Sequence, residues 1–386
     1  MKIGYDVSQT GNSKAGCGYF ADSLIRFLVR LAPENEYMLY PHFGTSFWDP
    51  DIERTGVRIE APNVSIKRIG RDFGGSMSFW AEPPDDAEER LGGPRIIHAN
   101  NYSCPTGIKT ARLVYTLYDL HFLEVPDLTT EENRSKCFEG VFSASIHADF
   151  VIAISSFSKD TFLKTFPHYP VDRMATVYLG SRFEGNPDGF GRSERNAGLH
   201  TDAFWLAVGT LEPRKNLRRL LRAFARYRTQ GRLDYPLVLA GGSGWMEDDL
   251  DDFIRDLGLG ESVRVLGYVT DEDLGWLYHN CYCFVYPSLY EGFGLPVLEA
   301  MSLGAPVITS KTTSLPEVGG DAAWYVDPYQ EEELVQAFMK FETDEGYRAE
   351  MRRSALNQAK KFSWEVSALK VLEIYRRVIS MPKFAS

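Results

Sequence analysis

The chain has 386 residues, 44% of them hydrophobic and 25% charged, with a formal net charge of −11. That length is too great for one core of ordinary size, so two domains are expected. The acidic balance argues against a nucleic-acid binder, although not against a local basic pocket. Five cysteines, an odd number, argue against a disulfide framework. Cys281 and Cys283 fall in an apolar run and are read as core thiols.

The elements follow in chain order. Met1–Val7 enters a strand directly, with no basic-apolar-cleavage pattern and no apolar run long enough to span a bilayer, so a cytoplasmic protein is expected. Membrane contact, if any, is expected to be peripheral, at the inner face. Residues 2–8 read as the first strand and Gln9–Gly18 as a loop rich in glycine, serine and asparagine. The spacing of Tyr19, Phe20, Leu24, Phe27, Leu28 and Leu31 predicts a helix with one buried face. Tyr37–Tyr40 is the second strand, and residues 42–94 are less regular. Arg95–His98 and Arg112–Leu117 are short β-like runs. Glu131–His147 is a helix, Phe150–Ile154 a strand, Ser155-Ser156 the capped start of another helix, and Thr176–Tyr178 the close of this half. The polar, turn-rich stretch 183–201 reads as a linker.

Strand–helix alternation then restarts. Strands are expected at Phe204–Val208, Leu237–Ala240, Val263–Leu266, Cys281–Tyr286, Val307–Thr309 and Trp324–Val326. Helices are expected at Leu217–Arg228, Asp248–Leu257 and Asp271–His279, and over most of 330–381. Two successive βα series predict an α/β fold with two doubly wound, Rossmann-like domains, 1–182 and 202–362, their strand ends facing each other across a cleft.

Residues 286–304 carry the most chemistry. An apolar strand leads into Glu291-Gly292-Phe293-Gly294, and a helix opens at Leu295-Pro296, where proline loses nothing by lacking an N–H. A glycine loop before a helix start is an anion site, since free N–H groups and the helix dipole point outward there. Glu291 and Glu299 bracket it. Carboxylates beside an anion site suit a ligand with both phosphates and hydroxyls, such as a nucleotide-sugar. Gly209-Thr-Leu-Glu-Pro-Arg-Lys-Asn216 is a second strand-to-helix loop. Arg214 and Lys215 stand at a helix start, where the dipole disfavours cations, so they need a reason; binding a diphosphate is one. The loop Ala240–Gly244 is a weaker signal, and the backbone at Tyr268-Val269 could read a base edge.

In the first half, Gly16 and Gly18 again stand in a strand-loop-helix setting that permits close approach of a phosphate. The pattern departs from a dinucleotide fingerprint: Ala21 occupies the third glycine position, and Pro41-His42 stand where an acid is expected. Asp119 and His121 follow an apolar strand and could touch sugar hydroxyls or carry a proton; they read equally well as a capping aspartate and a partly buried histidine. His98, with Asn100 and Asn101, is open in the same way. The acidic cluster Asp248–Asp252 is read as a solvated helix face. No metal or other cofactor is expected, because Arg214, Lys215 and the helix dipole can do a cation's work.

Taken together, Glu291-Gly-Phe-Gly-Leu-Pro-Val-Leu-Glu299, Val208–Asn216, Val151–Lys159 and the Gly16–Tyr19 loop resemble retaining glycosyltransferases of the GT-B fold, family 4. The resemblance covers most of the chain. It implies that Glu291 contacts donor-sugar hydroxyls and Glu299 the ribose. Backbone N–H groups around Leu295–Val297 would hold the diphosphate with Lys215. Gly292, Phe293, Gly294, Leu295, Pro296 and Val297 would line the donor site, and Tyr268 and Val269 would frame the base. It places the acceptor on the first domain and sends a last helix, within 363–386, back to that domain. Two positions depart from the family: Thr210 stands where an arginine is usual, with Arg214 a candidate replacement, and Tyr118 stands where a histidine is usual. The implied activity is transfer of a hexose from a nucleoside-diphosphate sugar, UDP-glucose before GDP-mannose, to a saccharide or lipid-linked saccharide in envelope or exopolysaccharide synthesis. A nicotinamide-dependent dehydrogenase and a non-catalytic sugar-nucleotide binder are the alternatives.

Overall fold

The computed structural model describes every residue except 12, 13, 15, 46–48, 50, 71, 184–188, 192, 243, 245–248, 385 and 386, and the side chains of 52 and 53. The chain divides into two units, Met1–Gly180 with Ser363–Ser386, and Ser181–Phe362.

The first unit is a seven-stranded sheet in the order β3-β2-β1-β4-β5-β6-β7. Its strands are β1 (Lys2–Asp6), β2 (Glu36–Tyr40), β3 (Val64–Ile66), β4 (Ile96–Ala99), β5 (Arg112–Leu117), β6 (Phe150–Ala153) and β7 (Met174–Thr176), and every pairing is parallel. Strand β3 and the helix Phe73–Ala81 give residues 42–94 more structure than their sequence pattern implies. The last strand ends at Thr176, two residues short of the expected run.

The second unit is a six-stranded parallel sheet, β10-β9-β8-β11-β12-β13. Its strands are β8 (Trp205–Val208), β9 (Leu237–Ala240), β10 (Val263–Gly267), β11 (Cys283–Tyr286), β12 (Val307–Ser310) and β13 (Trp324–Val326). Cys281 is not part of β11: its N–H closes the helix Asp271–Asn280 by bonding Leu277 O. Both sheets therefore step outward from their first strand and then reverse, the doubly wound arrangement. Strands buried on both faces must be apolar throughout, which is why β6, β9 and β11 read as unbroken hydrophobic runs.

Among the described residues, the segment expected as a linker is packed rather than free. Asn196 is buried, with Nδ2 3.2 Å from Asp273 Oδ1, and the Phe190 ring fills the space that Gly275 leaves by lacking a side chain. Residues 184–188 and 192 of that segment lie outside the described residues, as do Ser13 of the first glycine loop, Ser243 of the Ala240–Gly244 loop and Asp248 of the acidic cluster. The remaining acids of that cluster lie on or beside the helix Leu250–Asp256, with Asp251 and Asp252 exposed.

The helix Trp364–Ser380 packs on the helix Gly16–Leu31 in the first unit, with Trp364 against Phe20 at 5.8 Å. Its Tyr375 reaches the buried His98, O–H to Nδ1, at 2.6 Å. Thr116 commits its hydroxyl proton to Asn100 Oδ1, so its oxygen accepts from His98 Nε2–H at 2.8 Å, and Nδ1 must accept from Tyr375. Burial holds the imidazole pKa down to about 3, so it stays neutral. His98 is thus a satisfied core histidine. Tyr375→Phe should lower unfolding stability by about 1–3 kcal/mol, because it strands Nδ1 in a dry core; chemical denaturation followed by circular dichroism measures it.

Candidate functional site

In a doubly wound sheet, ligands bind beyond the strand C-termini where the winding reverses. In the second unit that point lies between β8 and β11, which pair directly through Trp205–Cys283 and Leu206–Phe284. The loops after these two strands are the 209–216 and 287–294 stretches. Parallel pairing brings together what 71 positions separate: Lys215 Nζ lies 2.7 Å from the Tyr286 hydroxyl.

Two glycines make the approach possible. Gly209 has φ +146° and Gly241 φ +155°, and a Cβ on Gly241 would lie 1.9 Å from Gly209 O. The Lys215 stem then crosses the face of Gly209. Pro213–Lys215 forms a single 3₁₀ turn, and Asn216, left-handed at φ +62°, starts the helix Leu217–Gln230. Its Nδ2 donates to Pro287 O at 3.0 Å and to Pro328 O at 2.7 Å, fastening this loop to its neighbours.

Glu291 is the centre of the arrangement. Its Oε1 takes Lys215 Nζ at 2.6 Å and the Tyr286 hydroxyl at 2.7 Å, with the Ser288 hydroxyl also at 2.7 Å. Its Oε2 takes Arg214 Nη1 at 3.2 Å. Burial pushes the carboxyl pKa up, but the charges of Lys215 and Arg214 and the hydrogen bonds outweigh it and hold the group at about 2. The backbone of Glu291 is held as well: its N–H points to Thr313 Oγ1 at 3.3 Å, and Ser314 donates to its carbonyl at 2.8 Å. Thr313 pays for this with φ +60°, an unfavourable conformation for a β-branched residue.

Arg214 and Lys215 are not bare charges awaiting an anion. Arg214 donates to the buried Glu212 through Nη2 at 2.7 Å and Nε at 3.1 Å, and Lys215 Nζ lies 3.9 Å from the same oxygen. Two cations face two carboxylates, Glu212 and Glu291, so the cluster is formally neutral. The sequence suggested a basic clamp; the structure shows a balanced ion network.

The helix Leu295–Ser302 opens after Gly294, at φ +104°, with no side-chain cap and no acid in its first turn. The expected backbone donors are fewer than the sequence implied. Pro296 has no N–H, and Val297 gives its own to Gly294 O at 3.0 Å, which leaves Leu295 to donate. Gly294 cannot carry a side chain, since a Cβ would meet Leu315 at 2.7 Å. Phe293 is buried against Phe362 at 5.8 Å, and Gly292 is buried with it.

Glu299, one turn into this helix, is 1% exposed and ion-paired with Arg182 at 2.7 Å. Burial, only partly offset by Arg182, raises its pKa. At the end of β10, Tyr268 is exposed and Val269 is buried; Arg195 Nη1 fixes the Tyr268 carbonyl at 2.6 Å. Thr210 is exposed.

The other expected residues belong to the first unit. Gly18 owes its identity to packing, because a Cβ there would sit 2.0 Å from Gln9 O, whereas a Cβ on Gly16 would meet nothing within 4 Å. His121 Nδ1 lies 2.6 Å from Asp119 Oδ1, which also takes the Tyr102 hydroxyl at 3.2 Å. Nδ1–H donating to the carboxylate leaves Nε2 as the acceptor. Tyr118 is buried and donates to Asn100 O at 2.7 Å, so its hydroxyl serves the scaffold. Among the described residues no group of three or more His, Cys, Asp or Glu is placed to hold a metal ion.

Sequence reasoning passed over Glu212, Tyr286, Ser288, Thr313 and Arg182. Glu212 carried a signal, an acid two residues before a cation at a helix start. Arg182 carried none, since it reaches Glu299 from 117 residues away.

Comparison with known proteins fits this geometry. Residues 192–362 match the family model described as glycosyl transferases group 1. The O-antigen chain mannosyltransferase B of Escherichia coli is 35% identical, over 97% of this chain and 100% of its own length. Among solved structures, sucrose-phosphate synthase from Thermosynechococcus elongatus superposes with a TM-score of 0.75 at 19% identity, covering 98% of this chain and 99% of that one. Anabaena HepE in complex with UDP and glucose gives 0.71 at 20% identity, covering 98% and 100%. These likenesses establish the fold as GT-B.

The Glu291 pKa carries a pH dependence. A carboxyl depressed to about 2 in the folded protein contributes stability above its unfolded value and loses it as pH falls through the folded one. With an unfolded value of about 4.3, the contribution is on the order of 3 kcal/mol at neutral pH. The stability gap between the wild type and Glu291→Gln, measured by urea unfolding at a series of pH values, should be constant above about pH 5 and should close between about pH 4.3 and pH 2.

Proposed function

Because the chain belongs to the glycosyl transferases group 1 family, we propose that it transfers mannose from a nucleoside-diphosphate sugar to a hydroxyl of a growing saccharide chain, with retention at the anomeric carbon. GDP-mannose is the preferred donor and UDP-glucose the second, the reverse of the order the sequence suggested. The support for mannose is the relative named as an O-antigen chain mannosyltransferase, which matches over 97% of the chain. Family membership sets the dehydrogenase aside. A lipid-linked saccharide acceptor and a cytoplasmic location at the membrane face complete the proposal. No helix among the described residues is long and apolar enough to cross a membrane.

The observation that carries this reading is the Lys215–Glu291 pair at the switch point, 2.6 Å apart and beside an uncapped helix start. Glu291 is ionised throughout the physiological range, so it accepts hydrogen bonds and does not serve as a proton donor. Its Oε1 is saturated by three donors; Oε2 has one long bond and therefore has the capacity for a sugar hydroxyl. Lys215 and Arg214, the latter in the role usually filled where Thr210 stands, meet the charge that gathers on the diphosphate as its bond to C1 breaks. Leu295 N–H and the helix dipole add to them. The acceptor oxygen bonds C1 on the face the phosphate leaves, and its proton passes to the departing phosphate oxygen. Acceptor hydroxyls are assigned to the first unit, where Asp119 orients His121.

The test is nucleotide release with a panel of sugar nucleotides and saccharide acceptors. GDP release from GDP-mannose, dependent on acceptor, is the expected result; turnover confined to UDP-glucose would restore the other donor, and no release from any donor would favour a non-catalytic binder. Lys215→Ala should lower kcat by about 10²–10³, the usual cost of one donor to a developing negative charge. Turnover near wild type would remove Lys215 from the phosphate site.

A further inference from the structure

Glu299 is a buried carboxylate with little to bond to. Its Oε1 accepts no hydrogen bond within the protein, although it has almost no exposed surface. Its Oε2 takes two long ones, from Arg182 Nη2 at 3.3 Å and the Tyr278 hydroxyl at 3.4 Å. Arg182 Nε stands 2.7 Å from Oε1 but out of line for a hydrogen bond. Glu291, also buried, has three donors at 2.6–2.7 Å on one oxygen alone. A buried charge with unfilled lone pairs is unfavourable, so Glu299 has acceptor capacity that a ligand's hydroxyls would fill.

Among the described residues Arg182 is the one cation paired with Glu299. It has a second anchor, since Nη1 donates to Asp271 Oδ1 at 2.8 Å, and Asp271 is itself more than half exposed. The guanidinium therefore bridges a buried carboxylate and a surface carboxylate. It also remains 18% exposed while the Glu299 side chain is 2% exposed. The other donor to Glu299, Tyr278, is fully enclosed. The charged and titratable groups acting on Glu299 are Arg182, Asp271 and Tyr278.

We propose that Arg182 is a positioning residue for the nucleotide: its guanidinium holds the Glu299 carboxylate turned toward the two ribose hydroxyls. This rests on the assignment of the ribose to Glu299. Without the guanidinium, burial and Asp271 both favour a protonated Glu299, which has one fewer acceptor site to offer. A purely structural ion pair would support the fold but would not distinguish a ribose from its dideoxy form.

The experiment compares binding of GDP with 2′,3′-dideoxy-GDP by calorimetry, and UDP with 2′,3′-dideoxy-UDP, in the wild type, Glu299→Gln, Arg182→Gln and Arg182→Lys. The wild type should prefer the ribonucleotide by about tenfold or more, the worth of hydrogen bonds to a charged acceptor. Glu299→Gln and Arg182→Gln should each bring that ratio toward one, and Arg182→Lys, which restores the charge, should recover part of it. A full preference retained in Arg182→Gln, with Glu299→Gln having lost it, would overturn the role of Arg182. No preference in the wild type would instead overturn the ribose assignment itself. Should Arg182→Gln fail to fold, Arg182→Lys decides the matter, since an unchanged ratio with altered side-chain geometry contradicts positioning by Arg182.

Discussion

An ionised carboxylate stays buried only where cations and hydrogen-bond donors replace the water it has lost. Glu291 meets that condition through four side chains, two from the loop after β8 and two from the end of β11 and the loop after it, and the organisation of the second unit's switch point follows from it. Lys215 and Arg214 must arrive from the loop after β8, so β8 and β11 must be neighbours. Gly209 must be a glycine for the lysine stem to cross it. Thr313 must adopt a strained backbone so that its hydroxyl and that of Ser314 can hold the Glu291 main chain. Each of these features is costly or restrictive alone, and together they fix one carboxylate and one ammonium in a single arrangement just before a helix start.

The two glutamates of the same segment are held in opposite ways. Glu291 is over-supplied with donors and its pKa falls; Glu299 is under-supplied and its pKa rises. In the proposed function a carboxylate pinned through one oxygen, with room left on the other, suits the fixing of a sugar at the point where a bond is made and broken. An under-bonded one gains more when a diol arrives, which suits it to recognition. Neutrality of the Arg214–Lys215–Glu212–Glu291 group has a further consequence. In the proposed function, a ground-state diphosphate would meet cations already paired, and their pull would grow most when negative charge gathers on the leaving group, the condition for catalysis rather than tight binding.

Much of this was legible in the sequence. Unbroken apolar runs announced the parallel strands, and their alternation with amphipathic helices announced two doubly wound sheets. Glycines and proline at 292–296 marked the helix start, and the pairing of the two loops followed from strand order. What was not legible was the cost and compensation of burial. Glu212 looked like one more charge in a basic turn until its solvent exposure was known. Donors expected from 295–297 were reduced by bonds local to the helix, because Val297 turns its N–H back to Gly294. Arg182 and Glu299 are brought together only by tertiary structure, and no local pattern encodes that contact. In the first unit, His98 and Tyr118 offered the same residue types as a site, yet their polar atoms are spent on the scaffold.

The most direct test is a crystal structure with an intact donor, using GDP-mannose fluorinated at the sugar's second carbon to slow its breakdown. The nucleotide should lie at the C-terminal ends of β8 and β11, with the diphosphate between Lys215 and the start of helix Leu295–Ser302. Glu291 Oε2 should then contact the sugar hydroxyls and Glu299 the ribose. A donor bound elsewhere, or one whose sugar and ribose have exchanged places between the two glutamates, would contradict the division of labour on which the functional reading stands.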